Sequence, residues 1–162
     1  MYKNIKVLHI LGVVLFFGSI LGHAVAGIVS SGSTSPELLY IVRQVVEAET
    51  IYLTVPGLIL FSITGIALIV IGKLPIRKLR WLTAHVAIGV IVILNAILFL
   101  APTGQELLEA SQQLASGGTA VSLEQIHALE TKEAVFGAIN IISCLILVTI
   151  AVIKPKWGGR TQ

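Results

Sequence analysis

The sequence predicts an all-α fold, an integral membrane four-helix bundle carrying a helical cap on its outer, extracytoplasmic side. Three observations predict it. Hydrophobic residues make up 56% of the 162 positions and charged residues only 12%, a balance far from that of a soluble domain. Apolar stretches recur at about 5–29, 51–72, 81–101 and 134–153, each long enough to cross a hydrocarbon core of about 30 Å as a helix. The charges between these stretches then alternate in sign from one side to the other.

That alternation sets the expected orientation. Lys3 and Lys6 precede the first span, Lys73, Arg77, Lys78 and Arg80 lie between the second and third, and Lys154, Lys156 and Arg160 follow the fourth. Only Arg43 and Lys132, of eleven basic residues, fall on the other side, where all eight glutamates lie. The positive-inside rule therefore places both termini and the short 73–80 loop in the cytoplasm, as a multi-pass protein of the cell inner membrane. The same bias accounts for the net charge of +3, so a nucleic-acid-binding surface is not expected. The first apolar run is too long for the core of a signal peptide, and a single domain, 1–162, is expected. One cysteine, Cys144, excludes a disulfide framework or a cysteine metal site.

Taken in order, the first span reads IKVLHILGVVLFFGSILGHAVAGIV and is interrupted by His9 and His23. The outer loop 30–50 begins SSGSTSP, and Ser35-Pro36-Glu37 marks a helix start with proline at the first helical position. A helical apolar period from Glu37 suggests that the second helix begins outside the membrane and runs in, with Pro56-Gly57 marking a kink. The short 73–80 loop makes the second and third helices antiparallel neighbours. The outer loop 102–133 opens at Pro102 and carries two amphipathic pieces separated by Gly117-Gly118. Ser122 with Gln125 resembles a capping box, from which the second piece runs into the fourth helix. Asn95 and Asn140 are expected to join helices or line a cavity.

Imidazoles inside a membrane helix are functional candidates. His9 lies three residues inside Lys6, and His85 five residues inside Arg80, so at about 1.5 Å per residue both rings reach a similar depth. Histidines at one level on facing helices can hold a haem iron from both sides. Gly12 and Gly89, each one turn further along, offer room for a macrocycle edge, and Lys6 and Arg80 stand where haem propionates would need cations. The competing reading is a pair of interfacial histidines hydrogen-bonded to neighbouring helices. Farther out, His23 with Glu49 and His127 could hold a second haem or a metal ion. Glu124 and His127 stand three residues apart on one face, a spacing found in bundle metal sites, yet it occurs once where such sites use two copies. No charged residue lies near mid-span, which weighs against an ion-coupled transporter.

Leu8-His9-Ile10 with Phe17-Gly18, and Arg80-Trp81-Leu82-Thr83-Ala84-His85, resemble segments of a superfamily that includes HemJ-type protoporphyrinogen oxidases, copper resistance D-type proteins and uncharacterised four-helix membrane relatives. Pro56-Gly57 and Thr64-Gly65 resemble the uncharacterised branch most. The resemblance implies that His9 and the residue at position 85 are a haem-associated pair. The HemJ-type proteins place lysine where His85 stands, and this departure favours bis-histidine ligation. A second departure, His23-Ala24-Val25-Ala26-Gly27 in place of a basic and aromatic run, leads away from porphyrinogen oxidation.

The expectation is a b-type haem protein, with one haem and room for a second, acting in electron transfer with a quinone or another redox partner. A homodimer could form through Gly65 and Gly72, or Gly137. The alternatives are a HemJ-like oxidase, a copper or other metal-ion protein built on His23, Glu49 and His127, and a non-catalytic membrane partner with no cofactor.

Overall fold

The computed structural model describes residues 1–155; the basic residues Lys156 and Arg160 lie outside that range. The described residues form four antiparallel helices, α1 (Tyr2–Ser30), α2 (Pro36–Ile71), α3 (Arg80–Ala115) and α4 (Leu123–Ile153), each long and apolar enough to cross a membrane. Residue 1, the 72–79 turn and residues 154–155 therefore share one end, here the basic end; the 31–35 and 116–122 turns share the other, the acidic end. The chain is a membrane four-helix bundle, as its sequence predicts.

Helix starts follow local chemistry. The Ser35 hydroxyl accepts from the Leu38 amide and Pro36 takes the first turn of α2, where its missing N–H costs nothing. At α4 the capping box is complete: Ser122 Oγ accepts from the Gln125 amide, and Gln125 Oε1 accepts from the Ser122 amide at 2.9 Å. Gly32 and Gly117 adopt φ of +72° and +80° in the two acidic-end turns, where a side chain would be strained.

The structure differs from the sequence expectation at Pro102. The third helix does not end there; it runs on to Ala115. Both interior prolines follow a π-turn, Thr50–Thr54 before Pro56 and Ala96–Leu100 before Pro102. The Val55 amide bonds to the Thr50 carbonyl and the Ala101 amide to the Ala96 carbonyl, five residues back. This widening takes the proline ring out of collision with the preceding turn. Threonine hydroxyls satisfy carbonyls around the first π-turn, Thr50 Oγ1 donating to the Val46 carbonyl at 2.8 Å.

The two π-turns stand at similar heights and divide the molecule. Towards the acidic end, Pro36–Glu49, Ala101–Ala115 and the start of α4 form the cap, packed around Leu39, Leu107 and Ile126, all fully buried. Towards the basic end, Phe16, Ile20, Val92 and Cys144 form the core of the bundle. There α1 packs closely on α2 and also on α4, and α4 packs on α3. The inner halves of α2 and α3, Val55–Ile71 and Arg80–Asn95, do not pack closely together. The two helices are neighbours in the cap and spread apart below it. Large apolar side chains such as Val14, Ile63, Ile91 and Val152 face outward, as a lipid-facing surface requires.

Close approach of α1 and α2 depends on glycine. A Cβ on Gly12 would lie 2.5 Å from the Phe61 amide nitrogen, and one on Gly57 would lie 2.6 Å from that of Phe16. Across the bundle, Asn95 Nδ2 donates to the Phe136 carbonyl at 2.9 Å and to Asn140 Oδ1 at 2.7 Å, joining α3 to α4.

Candidate functional site

His9 projects from α1 onto α2. Its Nδ1 lies 2.9 Å from the Phe61 carbonyl and 3.3 Å from Thr64 Oγ1. Thr64 donates its own proton to the Leu60 carbonyl, and a carbonyl can only accept. His9 Nδ1 therefore carries the proton and donates it to Phe61, leaving Nε2 with the lone pair. Gly65 makes room for the ring, since a Cβ there would sit 3.2 Å from His9 Cε1.

His85 projects from α3 towards α4, beside the Leu147 carbonyl, and lies within electrostatic range of His9. Its Nδ1 is buried and has no hydrogen-bond partner. Both rings are half-buried. Of the two glycines, Gly12 faces the α2 backbone, whereas nothing lies within 4 Å of the Cβ position of Gly89. Lys6 is exposed one turn before His9, and Arg80 opens α3.

The residues fit a bis-imidazole iron site in three respects. His9 is oriented by a backbone acceptor on its far nitrogen, as metal-bound histidines commonly are. His85 holds an unsatisfied buried nitrogen. The flank of α3 is open at Gly89, with nothing within 4 Å of its Cβ position.

The other predicted residues separate into two pairs. His23 Nε2 lies 3.6 Å from Glu49 Oε2, while His127 Nδ1 lies 2.9 Å from Glu130 Oε2. His23, Glu49 and His127 do not meet, and among the described residues no group of three or more His, Cys, Asp or Glu is placed to hold a metal ion. Glu124 is exposed and His127 turns to Glu130 instead. Gly65 and Gly72 are occupied within the chain, by His9 and by Tyr2 with Leu74; nothing lies within 4 Å of a Cβ at Gly137.

Sequence reasoning missed Arg43. It is 2% exposed and ion-paired to Glu130 at 3.1 Å and to Glu133. Ser30 Oγ donates to Glu130 at 2.9 Å, so α1, α2 and α4 meet at one charged cluster under the cap. The signal was present: Arg43 is one of only two basic residues on the glutamate side, where topology gives no reason for it.

Fold and polar interior together define a class: a four-helix integral membrane protein with imidazoles held inside the bundle and an ionic cluster beneath a helical cap. The chain belongs to the DUF2269 family of predicted integral membrane proteins, whose family profile matches residues 3–155. No curated protein and no solved structure matches it significantly.

Proposed function

We propose that the protein binds b-type haem between His9 and His85 and serves in electron transfer within the cell inner membrane, with both termini in the cytoplasm. The observation that supports this reading is the His9 ring, whose Nδ1 is committed to the Phe61 carbonyl and leaves Nε2 free to ligate, together with a second intramembrane imidazole, His85, whose buried Nδ1 has no hydrogen-bond partner. Haem bound by two histidines supplies a one-electron iron couple with no open position for substrate. That favours electron transfer over the HemJ-like oxidase chemistry that the resemblance to HemJ-type and copper resistance D-type proteins also suggests.

In this reading the chain's own residues do the following. The Phe61 carbonyl fixes the tautomer and the orientation of His9. The Phe61 ring meets the His9 ring edge-on, with centroids 6.5 Å apart, and packs against the apolar core of Phe16 and Val92, which would help exclude water. Lys6 and Arg80 supply cations at the basic end, where propionates would need them. The seven described basic residues of that end, Lys3, Lys6, Lys73, Arg77, Lys78, Arg80 and Lys154, support its cytoplasmic placement.

The test is an absorbance spectrum of the full chain purified from haem-replete cells, oxidised and then dithionite-reduced. A sharp reduced α-band of the b-type is expected. His9→Ala and His85→Ala should each remove the six-coordinate signature, and His127→Ala should retain it. A colourless preparation, or a signature that survives both substitutions, overturns the proposal.

A further inference from the structure

We propose that a groove between α1 and the cap half of α2 binds the ring of a membrane-soluble hydroquinone, whose hydroxyl donates a hydrogen bond to Glu49. The groove has a volume of about 500 Å³ and is lined by Leu21, Val25, Ala26, Ile41, Val45 and Glu49 among others, within the range of small-molecule sites. Val25 and Ile41 are 61% and 56% exposed, so it opens away from the bundle. It lies where α1 nears the end of its apolar span and α2 enters the cap, the border between lipid and water.

Its walls are apolar except for Glu49, whose side chain is 28% exposed. Glu49 Oε2 and His23 Nε2 are both buried and both lack a hydrogen-bond partner. They are 3.6 Å apart, too far to satisfy each other. The carboxylate is seated by Gly22, where a Cβ would lie 2.7 Å from each of its oxygens. A carboxylate thus lines an otherwise apolar groove with hydrogen-bonding capacity to spare, and His23, outside the lining, does not use that capacity.

The chemistry of the occupant follows. An acyl chain would cover the walls and leave Glu49 without a donor, and a phospholipid phosphate would be repelled by it. A ring hydroxyl supplies the missing donor, the ring fills the apolar space, and an isoprenoid tail leaves through the open side into lipid. This names a site for the quinone-class partner of the haem reading, but binding itself does not require haem.

The test titrates the full chain in detergent, under anaerobic reducing conditions, with a decyl-substituted benzohydroquinone followed by calorimetry. Saturable binding of one molecule per chain is expected. A charge-assisted hydrogen bond predicts that Glu49→Gln weakens it about tenfold or more, and that the dimethyl ether of the same hydroquinone binds weaker by a similar factor. Ala26→Phe, which fills the groove without altering the carboxylate, should also abolish saturation, and Glu109→Gln on α3 should leave it unchanged. Absence of saturable binding, equal binding of hydroquinone and dimethyl ether, or unchanged binding by both groove variants overturns the proposal. A colourless protein that still binds the hydroquinone would refute the haem reading alone.

Discussion

Arg43→Met removes the one cation that holds two carboxylates beneath the cap. Arg43 is 2% exposed, and the Glu130 and Glu133 side chains are 13% and 20% exposed. Without the guanidinium, Glu130 keeps only Ser30 and His127, and Glu133 loses its ion pair. Removing one member of a buried pair costs about 3–5 kcal/mol, because its partner's charge stays desolvated and uncompensated. For a chain of this size about 2–4 °C of melting temperature follows each kcal/mol, so a fall of about 6–20 °C is expected. Cys144, the single cysteine, is 6% exposed, so a thiol-reactive fluorescent dye reports unfolding in detergent directly. Lys132→Ala serves as the comparison. It breaks a pair with Glu106 at 4.0 Å, with side chains 45% and 55% exposed, worth about 0–1 kcal/mol. Adding Glu130→Gln and Glu133→Gln to Arg43→Met should recover much of the loss, since the stranded charges are then gone. If Arg43→Met melts no lower than Lys132→Ala, the cluster does not hold the cap to the bundle.

Three further outcomes are expected, each read in the same thermal assay. Gly12→Ala and Gly57→Ala should each cost about 1–3 kcal/mol by driving a methyl into a neighbouring backbone; Gly18→Ala, with nothing within 4 Å, should instead gain about 0.5–1 kcal/mol from helix propensity. Asn95→Ala breaks the link to Phe136 and Asn140 and should cost about 1–2 kcal/mol, the range of interhelical hydrogen bonds in membranes. Ser122→Ala should cost about 1 kcal/mol through loss of the helix cap, with faster amide exchange confined to the first turn of α4.

Much of the architecture was legible because membranes impose one-dimensional rules. Span length, the basic loops and the Ser35-Pro36 and Ser122–Gln125 starts are local features, and each appears where its residues placed it. The lateral order of the helices was not legible. A face turned to lipid and a face turned to a neighbouring helix are equally apolar, so periodicity cannot tell Ile63, which faces outward, from Val92, which is buried. Gly12 was read as room beside a helix, which it is, but α2 rather than a cofactor stands there. Arg43 was missed because its partners lie 87 and 90 residues away. Pro102 was read as a terminus because proline normally ends a helix; the π-turn that accommodates it has no sequence signature of its own. His9 and His85 were chosen on depth, neighbouring glycines and the family resemblance, and the Phe61 carbonyl that orients His9 could be known only once α1 and α2 were docked.

The paired π-turns carry a consequence for how this chain can tolerate change. Each behaves as a one-residue insertion in an otherwise regular helix, so the apolar stripe of the cap half is out of phase with that of the membrane half by about 100°, one residue's rotation. Deleting a single residue between Thr50 and Thr54, or between Ala96 and Leu100, would remove the widened turn, return the proline ring to collision with the turn before it, and swing Leu39 or Leu107 off the cap's centre. Length at these two points is therefore more tightly constrained than residue identity, and insertions or deletions there would be tolerated only as compensating pairs.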